Sequence, residues 1–353
     1  MSYLEIAREK FEKLKIKKDV LILSIESSCD ETSIALVKNG REVLSNIVST
    51  QIEIHKLFGG VVPEVASRNH IKNIPMVLKE ALKASGKTLQ DVDAVAVTYG
   101  AGLVGALLVG VNFAKTLAYA LNVPLIAVSH VHGHIGANYI SHPDLVPPFM
   151  CLMVSGGHTA LVEVKDYCDF NMIGSTVDDS VGECFDKVAR VLGLSYPGGP
   201  NIDRLAKQGQ NVVKFNYKTP LKDTFNFSFS GLKTAVVNYV HNKEQKNEEY
   251  SKADVACSFQ ELVTDELCDK TIKSCQKLGK NKLVIAGGVG ANSRLREKLK
   301  AECEKNGIQI FMPDLKYCTD NGAMIGSIAY YYILADKGFA DLTLTAKPTV
   351  SIS

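Results

Sequence analysis

The chain has 353 residues, 46% apolar and 22% charged, with 40 bases against 38 acids for a formal charge of +2. That length suits about two domains of ~150 residues, and the composition excludes a disordered chain, a coiled coil and a collagen. Six bases and four acids fall in residues 1–19, leaving 34 of each in the rest. Nucleic acid would then be met by a local patch or with partners, not by a generally basic surface.

The first residues, MSYLEIAREKFEKLKIKKDV, carry charges throughout and lack the apolar core of a signal peptide. Leu4, Ala7, Phe11 and Leu14 stand at helical spacing, which predicts an amphipathic lead-in helix, exposed or loosely docked. From Val20 the pattern changes. VLILSIES reads as a buried strand and SIALV as a second, Asn39-Gly40 is a hairpin signal, and REVLSNIVS is a third strand. Helical periodicity runs from about Val65 to Ala84. DAVAVTY is a strand followed by the glycine turn GAGLVG, then a long helix to about Leu121, then the short strand LIAVS after Pro124. No apolar run reaches the ~18 residues of a membrane span. The longest, Leu103 to Tyr119, is cut by Gly105, Gly110, Asn112 and Lys115, and a soluble, cytoplasmic protein is expected.

The same grammar restarts near Pro148. FMCLMVSGGHTALVEV, like LILSIESSCDETSIALV, is strand, tight turn, returning strand, and KLVIAGGVGAN is a further strand leading into a helix from about Ser293. Strands alternating with helices indicate an α/β protein. The doubled opening predicts two lobes of like topology facing a cleft, with boundaries at 1–19 (extension), 20–145 (N-terminal lobe), 146–335 (C-terminal lobe, its last helix packing back between the lobes) and 336–353 (tail). The nine cysteines include no Cys-x-x-Cys pair and read as reduced thiols, several of them core fillers.

Three of the eight histidines lie in SHVHGHIGANYI. His130 and His134, four apart, share one helical face, as metal ligands do and as pairs of surface histidines also do. Val131 stands where a His-Glu-x-x-His peptidase would carry its glutamate. A mononuclear site also wants a carboxylate; Asp320, in CTDNGAM, is one candidate among many. SGGHT (Ser155–Thr159) and SSCDET (Ser27–Thr32) are turns at matching places whose N–H and hydroxyl donors could grip a polyphosphate from both sides. GGVGAN (Gly287–Asn292) could pack closely or approach a phosphate. PGGP (Pro197–Pro200) is a rigid loop with Asp203 after it, and GECFDK puts Glu183 and Asp186 one turn apart. FNFSFSGLKT (Phe225–Thr234) could stack a base and touch a phosphate, or form a strand with one buried aromatic face.

Together IESSCDET, HVHGH, VSGGHT, GECFDK, YPGGP, FSFSGLKTA, GGVGAN and CTDNGAM, in this order from about Leu21 to Ile333, resemble the tRNA N(6)-adenosine threonylcarbamoyltransferase family, bacterial branch, once classed as O-sialoglycoprotein endopeptidases. The resemblance implies the two-lobed actin-like, sugar-kinase-like ATPase fold of duplicated ribonuclease H-like domains. It implies transfer of a threonylcarbamoyl group from threonylcarbamoyl-AMP to N6 of the adenosine 3′ to the anticodon, in tRNAs reading codons that begin with A, releasing AMP. It implies one divalent metal ion, Fe2+ ahead of Zn2+, on His130, His134 and Asp320. Substrate would be bound by Val154, Ser155, Gly156, Gly157 and His158 and by Asp186, Gly199, Asp203 and Asn292. An inactive paralogous subunit and a small ATPase are the implied partners. The family commonly has Glu where His132 stands, so His132 is expected to alter the site's charge or compete as a ligand. The competing readings are a small-molecule kinase and a nucleotide-switched scaffold of the same fold.

Overall fold

A computed structural model describes residues 1–218 and 221–352. In chain order it has helix α1 (Tyr3–Leu14), strands β1 (Leu21–Glu26), β2 (Glu31–Lys38) and β3 (Glu42–Thr50), helices α2 (Ile52–Lys56) and α3 (Pro63–Ser85), β4 (Ala94–Gly100), α4 (Val104–Leu121), β5 (Leu125–Ser129) and α5 (His130–Ser141). Next come β6 (Phe149–Val154), β7 (Thr159–Asp166), β8 (Asp169–Ser175), α6 (Val181–Val191), α7 (Gly198–Ala206), α8 (Ser230–Gln245), α9 (Lys252–Lys277), β9 (Lys282–Ala286) and α10 (Ser293–Lys305). The chain closes with β10 (Gln309–Phe311), α11 (Leu315–Cys318), α12 (Gly322–Leu334) and β11 (Phe339–Ala340).

The strands form two sheets, of order β11-β5-β4-β1-β2-β3 and β10-β9-β6-β7-β8. Strands β6 to β10 occupy the places of β1 to β5. In the first sheet β1 pairs antiparallel with β2 (Leu23 opposite Leu36) and parallel with β4 (Ile25 beside Val97). In the second, β6 pairs antiparallel with β7 (Leu152 opposite Leu161) and parallel with β9 (Leu152 beside Ile285). The duplication expected from the doubled strand-turn-strand pattern is therefore present in the pairing itself. Strands β1 and β6 are the central members and are buried along their whole length, which is why both are near-continuous apolar runs rather than alternating ones.

The chain divides into two compact units. One comprises 1–147, 166–169 and 313–353; the other comprises 148–165 and 170–312. This corrects the boundary expected at residue 335: from Pro313 onward the chain belongs to the first unit. Helix α12 packs on α5, β1 and β2, because its apolar surface is buried nearly all round (Ala323, Met324, Ile325, Ile328 and Ala329) and needs partners on several sides. The first core joins Leu23, Ile25, Ile34, Val95, Val97 and Val111; the second joins Leu152, Val154, Phe185, Phe259, Leu267 and Ile285.

Three further expectations change. Helix α1 is docked rather than loose: Ala7, Phe11 and Leu14 are buried, Phe11 meets Phe339 edge-on, and Tyr3 donates to the Val123 carbonyl at 3.0 Å. Helix α4 has 18 residues and, by length and composition alone, could cross a membrane. In the fold one face of it, carrying Ala106, Leu107, Val111, Ala114 and Ala118, is buried against α3 and β4. The residues 225–229 form no regular strand. Phe227 makes an isolated bridge with Thr176, and α8 begins at Ser230.

Candidate active site

The first unit gathers His130, His134 and Asp320. Strand β5 ends at Ser129 and α5 begins at His130, so the sheet's C-terminal edge delivers the first imidazole and one helical turn delivers the second. Asp320 stands in the turn between α11 and α12. That turn is fixed by Asn321, whose Oδ1 accepts from Met324 N at 3.0 Å, and by Gly322 N donating to Ser33 Oγ at 2.8 Å. His130 Nε2 lies 3.6 Å and His134 Nε2 3.3 Å from Asp320 Oδ1. One donor atom from each residue falls within 4.8 Å of the others.

These residues fit a metal ion. Two ligand atoms each about 2.1 Å from one ion at a tetrahedral angle lie roughly 3.4 Å apart, close to both measured separations. His134 is 1% exposed, yet neither of its ring nitrogens has a hydrogen-bond partner. A buried imidazole left so is costly unless something else takes its lone pair. The surroundings also favour positive charge. Burial pushes the His130 imidazole down, but the Asp320 and Glu26 carboxylates outweigh it and raise it to about 9.

His132 does not join this cluster. Its Nδ1 faces the Tyr332 hydroxyl and its Nε2 the Ile352 carbonyl at 2.8 Å, and burial lowers it to about 4. The expectation of a competing ligand is therefore corrected: two positions from either ligand histidine, about 200° around the helix, the ring turns toward the C-terminal segment. Burial and the Asp30 carboxylate push the neighbouring Cys29 thiol well above its ordinary range.

The two turns at matching places differ. In SSCDET, Ser27 Oγ donates to the Ala106 carbonyl at 3.0 Å, Thr32 Oγ1 is 2.7 Å from His70 Nδ1, and Ser28 Oγ is 3.1 Å from His130 Nδ1. These hydroxyls are buried and already engaged within the chain. In the second unit, Ser155 N donates to the His158 carbonyl at 2.8 Å and His158 N to Ser155 Oγ at 3.0 Å, which closes the turn on itself. Gly156 and Gly157 have open space where a side chain would be. Gly287, at φ 95°, lies against Val154; a Cβ there would sit 2.4 Å from the Val154 carbonyl oxygen. Gly182 packs the start of α6 equally closely onto Ser155. The loops after β6 and β9 thus meet at the C-terminal edge of parallel strands, where open α/β sheets bind ligands.

The paired acids of α6 separate. Glu183 pairs with Lys187 at 2.7 Å, whereas Asp186 Oδ1 accepts from Gly198 N at 2.7 Å at the start of α7. Gly199 beside it is open. Asp203 Oδ1 accepts from Ser293 Oγ at 2.8 Å. Asn292 caps α10 through Leu295 N at 2.9 Å and donates to Gln260 Oε1 at 3.0 Å. The aromatics of FSFSGLKTA are core: Phe227 and Phe229 are fully buried and lie nearly parallel, which corrects the base-stacking reading. Its polar residues are held within the chain. Asp178 accepts from Ser228 Oγ, Ser230 Oγ, Phe229 N and Ser230 N, and Lys233 is 2.6 Å from Asp179. Sequence reasoning missed Asp178, Asp179 and Glu26. Of these only Glu26 left a signal, a charged residue closing a buried strand that is otherwise apolar but for Ser24.

The model of the family described as tRNA N6-adenosine threonylcarbamoyltransferase matches residues 42–327. A protein of that name from Clostridium perfringens is 57% identical over 333 residues, 94% of this chain and 98% of the relative. One from Clostridium botulinum is 55% identical over 338 residues, 96% and 99% of the two chains. Among solved structures, component A of (R)-2-hydroxyglutaryl-CoA dehydratase from Acidaminococcus fermentans superposes with a TM-score of 0.54 at 14% identity, covering 89% of this chain and 99% of that one. HypF from T. kodakarensis gives 0.61 at 14% identity, covering 90% of this chain but only 48% of HypF. These two carry the fold, an actin-like ATPase fold; the relatives carry the activity, and nothing in them favours the kinase or scaffold alternatives. The chain belongs to the tRNA N6-adenosine threonylcarbamoyltransferase family.

Proposed function

We propose that the protein takes the threonylcarbamoyl group from threonylcarbamoyl-AMP and passes it to N6 of the adenosine 3′ to the anticodon, in tRNAs reading codons that begin with A. AMP is a good leaving group because its phosphate carries negative charge easily. The adenine amine is a poor nucleophile because its lone pair is delocalised into the ring. Catalysis then rests on positioning and on charge at the acyl carbonyl.

His130, His134 and Asp320 are the residues that would hold one divalent ion, Fe2+ ahead of Zn2+. Bound there, such an ion supplies Lewis acidity toward an acyl or phosphate oxygen. Two neutral imidazoles and one carboxylate leave it a net positive charge. In the second unit, Val154 to His158 would orient the donor, with the open backbone of Gly156, Gly157 and Gly199 offering N–H groups to phosphate oxygens. Asp186 and Asp203 would accept from hydroxyls of the ribose or the threonyl part. Asn292, by capping α10, would hold its loop beside them. The resemblance further implies a cytoplasmic setting and work with an inactive paralogous subunit and a small ATPase.

The observation that carries the metal assignment is the buried, unpartnered imidazole of His134 with its Nε2 3.3 Å from Asp320. The test combines elemental analysis with transfer of labelled threonine to unmodified tRNA, in the presence of bicarbonate, ATP and an adenylate-forming enzyme. We expect about one ion per chain in the wild type and loss of both ion and label in His130→Ala. Undiminished transfer by a metal-free His130→Ala protein would refute the role of the site.

A further inference from the structure

Beyond the three ligand candidates, one buried acid touches the cluster. Glu26 is the last residue of β1, is fully buried, and has its carboxylate pinned from both neighbouring segments. Oε1 accepts from Ser28 N at 2.6 Å, and Oε2 accepts from Thr98 Oγ1 of β4 at 2.5 Å. The remaining contact of Oε2 is His130 Nδ1 at 3.3 Å. Among the described residues, His130 is the only basic group within ion-pair distance of Glu26.

The two edges of the His130 ring thus face different acids. Nδ1 faces Glu26, and Nε2 faces Asp320 at 3.6 Å. A bare Nδ1 would set its lone pair against a carboxylate oxygen that two other donors keep from rotating away. A protonated Nδ1 donates to that oxygen instead. Ser28 Oγ, 3.1 Å from Nδ1, serves either arrangement, since a hydroxyl donates or accepts, and so does not choose between them. His134 has no such partner on its Nδ1. The pair is therefore asymmetric, with orientation imposed on one ring only.

We infer that Glu26 is a positioning residue for the cation site, its carboxylate accepting the Nδ1–H of His130 and so holding the ring in the tautomer whose Nε2 lone pair faces His134 and Asp320. Outer carboxylates of this kind orient a ligating imidazole and raise its basicity, and losing one commonly weakens metal binding by about 10–100-fold. The inference rests on the cation reading of His130, His134 and Asp320. It adds that the sheet, through a residue that never touches the ion, decides which ring nitrogen is offered.

The test uses the full chain with Zn2+ as the probe. In the zinc-loaded wild type, nitrogen-15 spectra of the histidine side chains should show His130 with its proton on Nδ1 and the zinc-induced shift on Nε2. In Glu26→Gln the amide NH2 would take one carboxylate oxygen's place, and Zn2+ affinity, read by competition with a chromogenic chelator, should fall by about 10–100-fold. A zinc shift on Nδ1 of wild-type His130 overturns the inference. So does a folded Glu26→Gln protein that binds Zn2+ as tightly as wild type. Should the variant fail to fold, the wild-type spectrum alone decides. Failure of the underlying reading looks different: wild type and His130→Ala would then bind Zn2+ equally weakly, whatever residue 26 is.

Discussion

Asp178 shows how one side chain can organise a segment that its own sequence leaves ambiguous. Phe225 to Ser230 has the alternating pattern of a strand, yet Asp178 collects two hydroxyls and two backbone N–H groups from it. One of those N–H groups belongs to Ser230, the first residue of α8, so the acid caps that helix from another part of the chain. Burial pushes the Asp178 carboxyl up, but these donors outweigh it and hold it below the usual carboxylate range. A group depressed in the folded state stabilises fully above its unfolded pKa, and that contribution is lost as pH falls through the folded value. Asp178→Asn should cost about 2 kcal/mol at neutral pH, and the gap to wild type should narrow as pH drops below about 3.9. Urea titrations at pH 7 and pH 3.5 check this; an equal gap at both would mean the charge plays no part. At this scale the sequence exposed His130 and His134, because four-residue spacing is a local property of a helix. It did not expose Asp178 or single out Asp320, because what an isolated acid meets depends on chain brought from elsewhere.

Helices α5 and α12 carry the ligand cluster between them, and their close approach depends on small residues. A Cβ on Gly136 of α5 would fall 2.9 Å from the Met324 carbonyl oxygen and 3.2 Å from Ile328 N, both backbone atoms of α12. A valine there must push the helices apart. The helix-propensity gain over glycine is a few tenths of a kcal/mol, whereas overpacking costs about 1–3 kcal/mol, so Gly136→Val should destabilise. Because Asp320 immediately precedes α12, the same substitution should also weaken Zn2+ binding at least about 10-fold, by moving Asp320 away from the two imidazoles. Unchanged denaturation midpoint and unchanged Zn2+ titration would refute the packing account. Element type was largely legible: α3 was expected at 65–84 and spans Pro63–Ser85, and β5 was expected at LIAVS and spans Leu125–Ser129. The docking of α1 was not, since an amphipathic stripe states that a face is apolar but not what covers it. Here Phe339, from the far end of the chain, covers Phe11, and Asp336 ties Arg8 beside it.

Each unit has its own sheet and its own core, and all three ligand candidates belong to the first unit, which also takes in residues 313–353. A cation bound there should stabilise that unit selectively. At a free concentration 100 times its Kd the gain is about 2.7 kcal/mol. Hydrogen exchange followed by mass spectrometry should then show Zn2+ slowing exchange in β1, α5 and α12 but not in β6 and β9. Equal slowing in both sets would contradict a site built by one unit alone. The amino-acid sequence by itself determined the repeated strand-turn-strand units, the alternation with helices and the paired imidazoles, because strand and helix periodicities of two and 3.6 residues are written into neighbouring positions. Only the tertiary structure decided that the chain beyond Pro313 returns to the first sheet, that Asp320 faces the imidazoles and that Glu26 lies behind His130. Those contacts join residues far apart in sequence, and their selection comes from strand pairing and helix packing rather than from any local pattern.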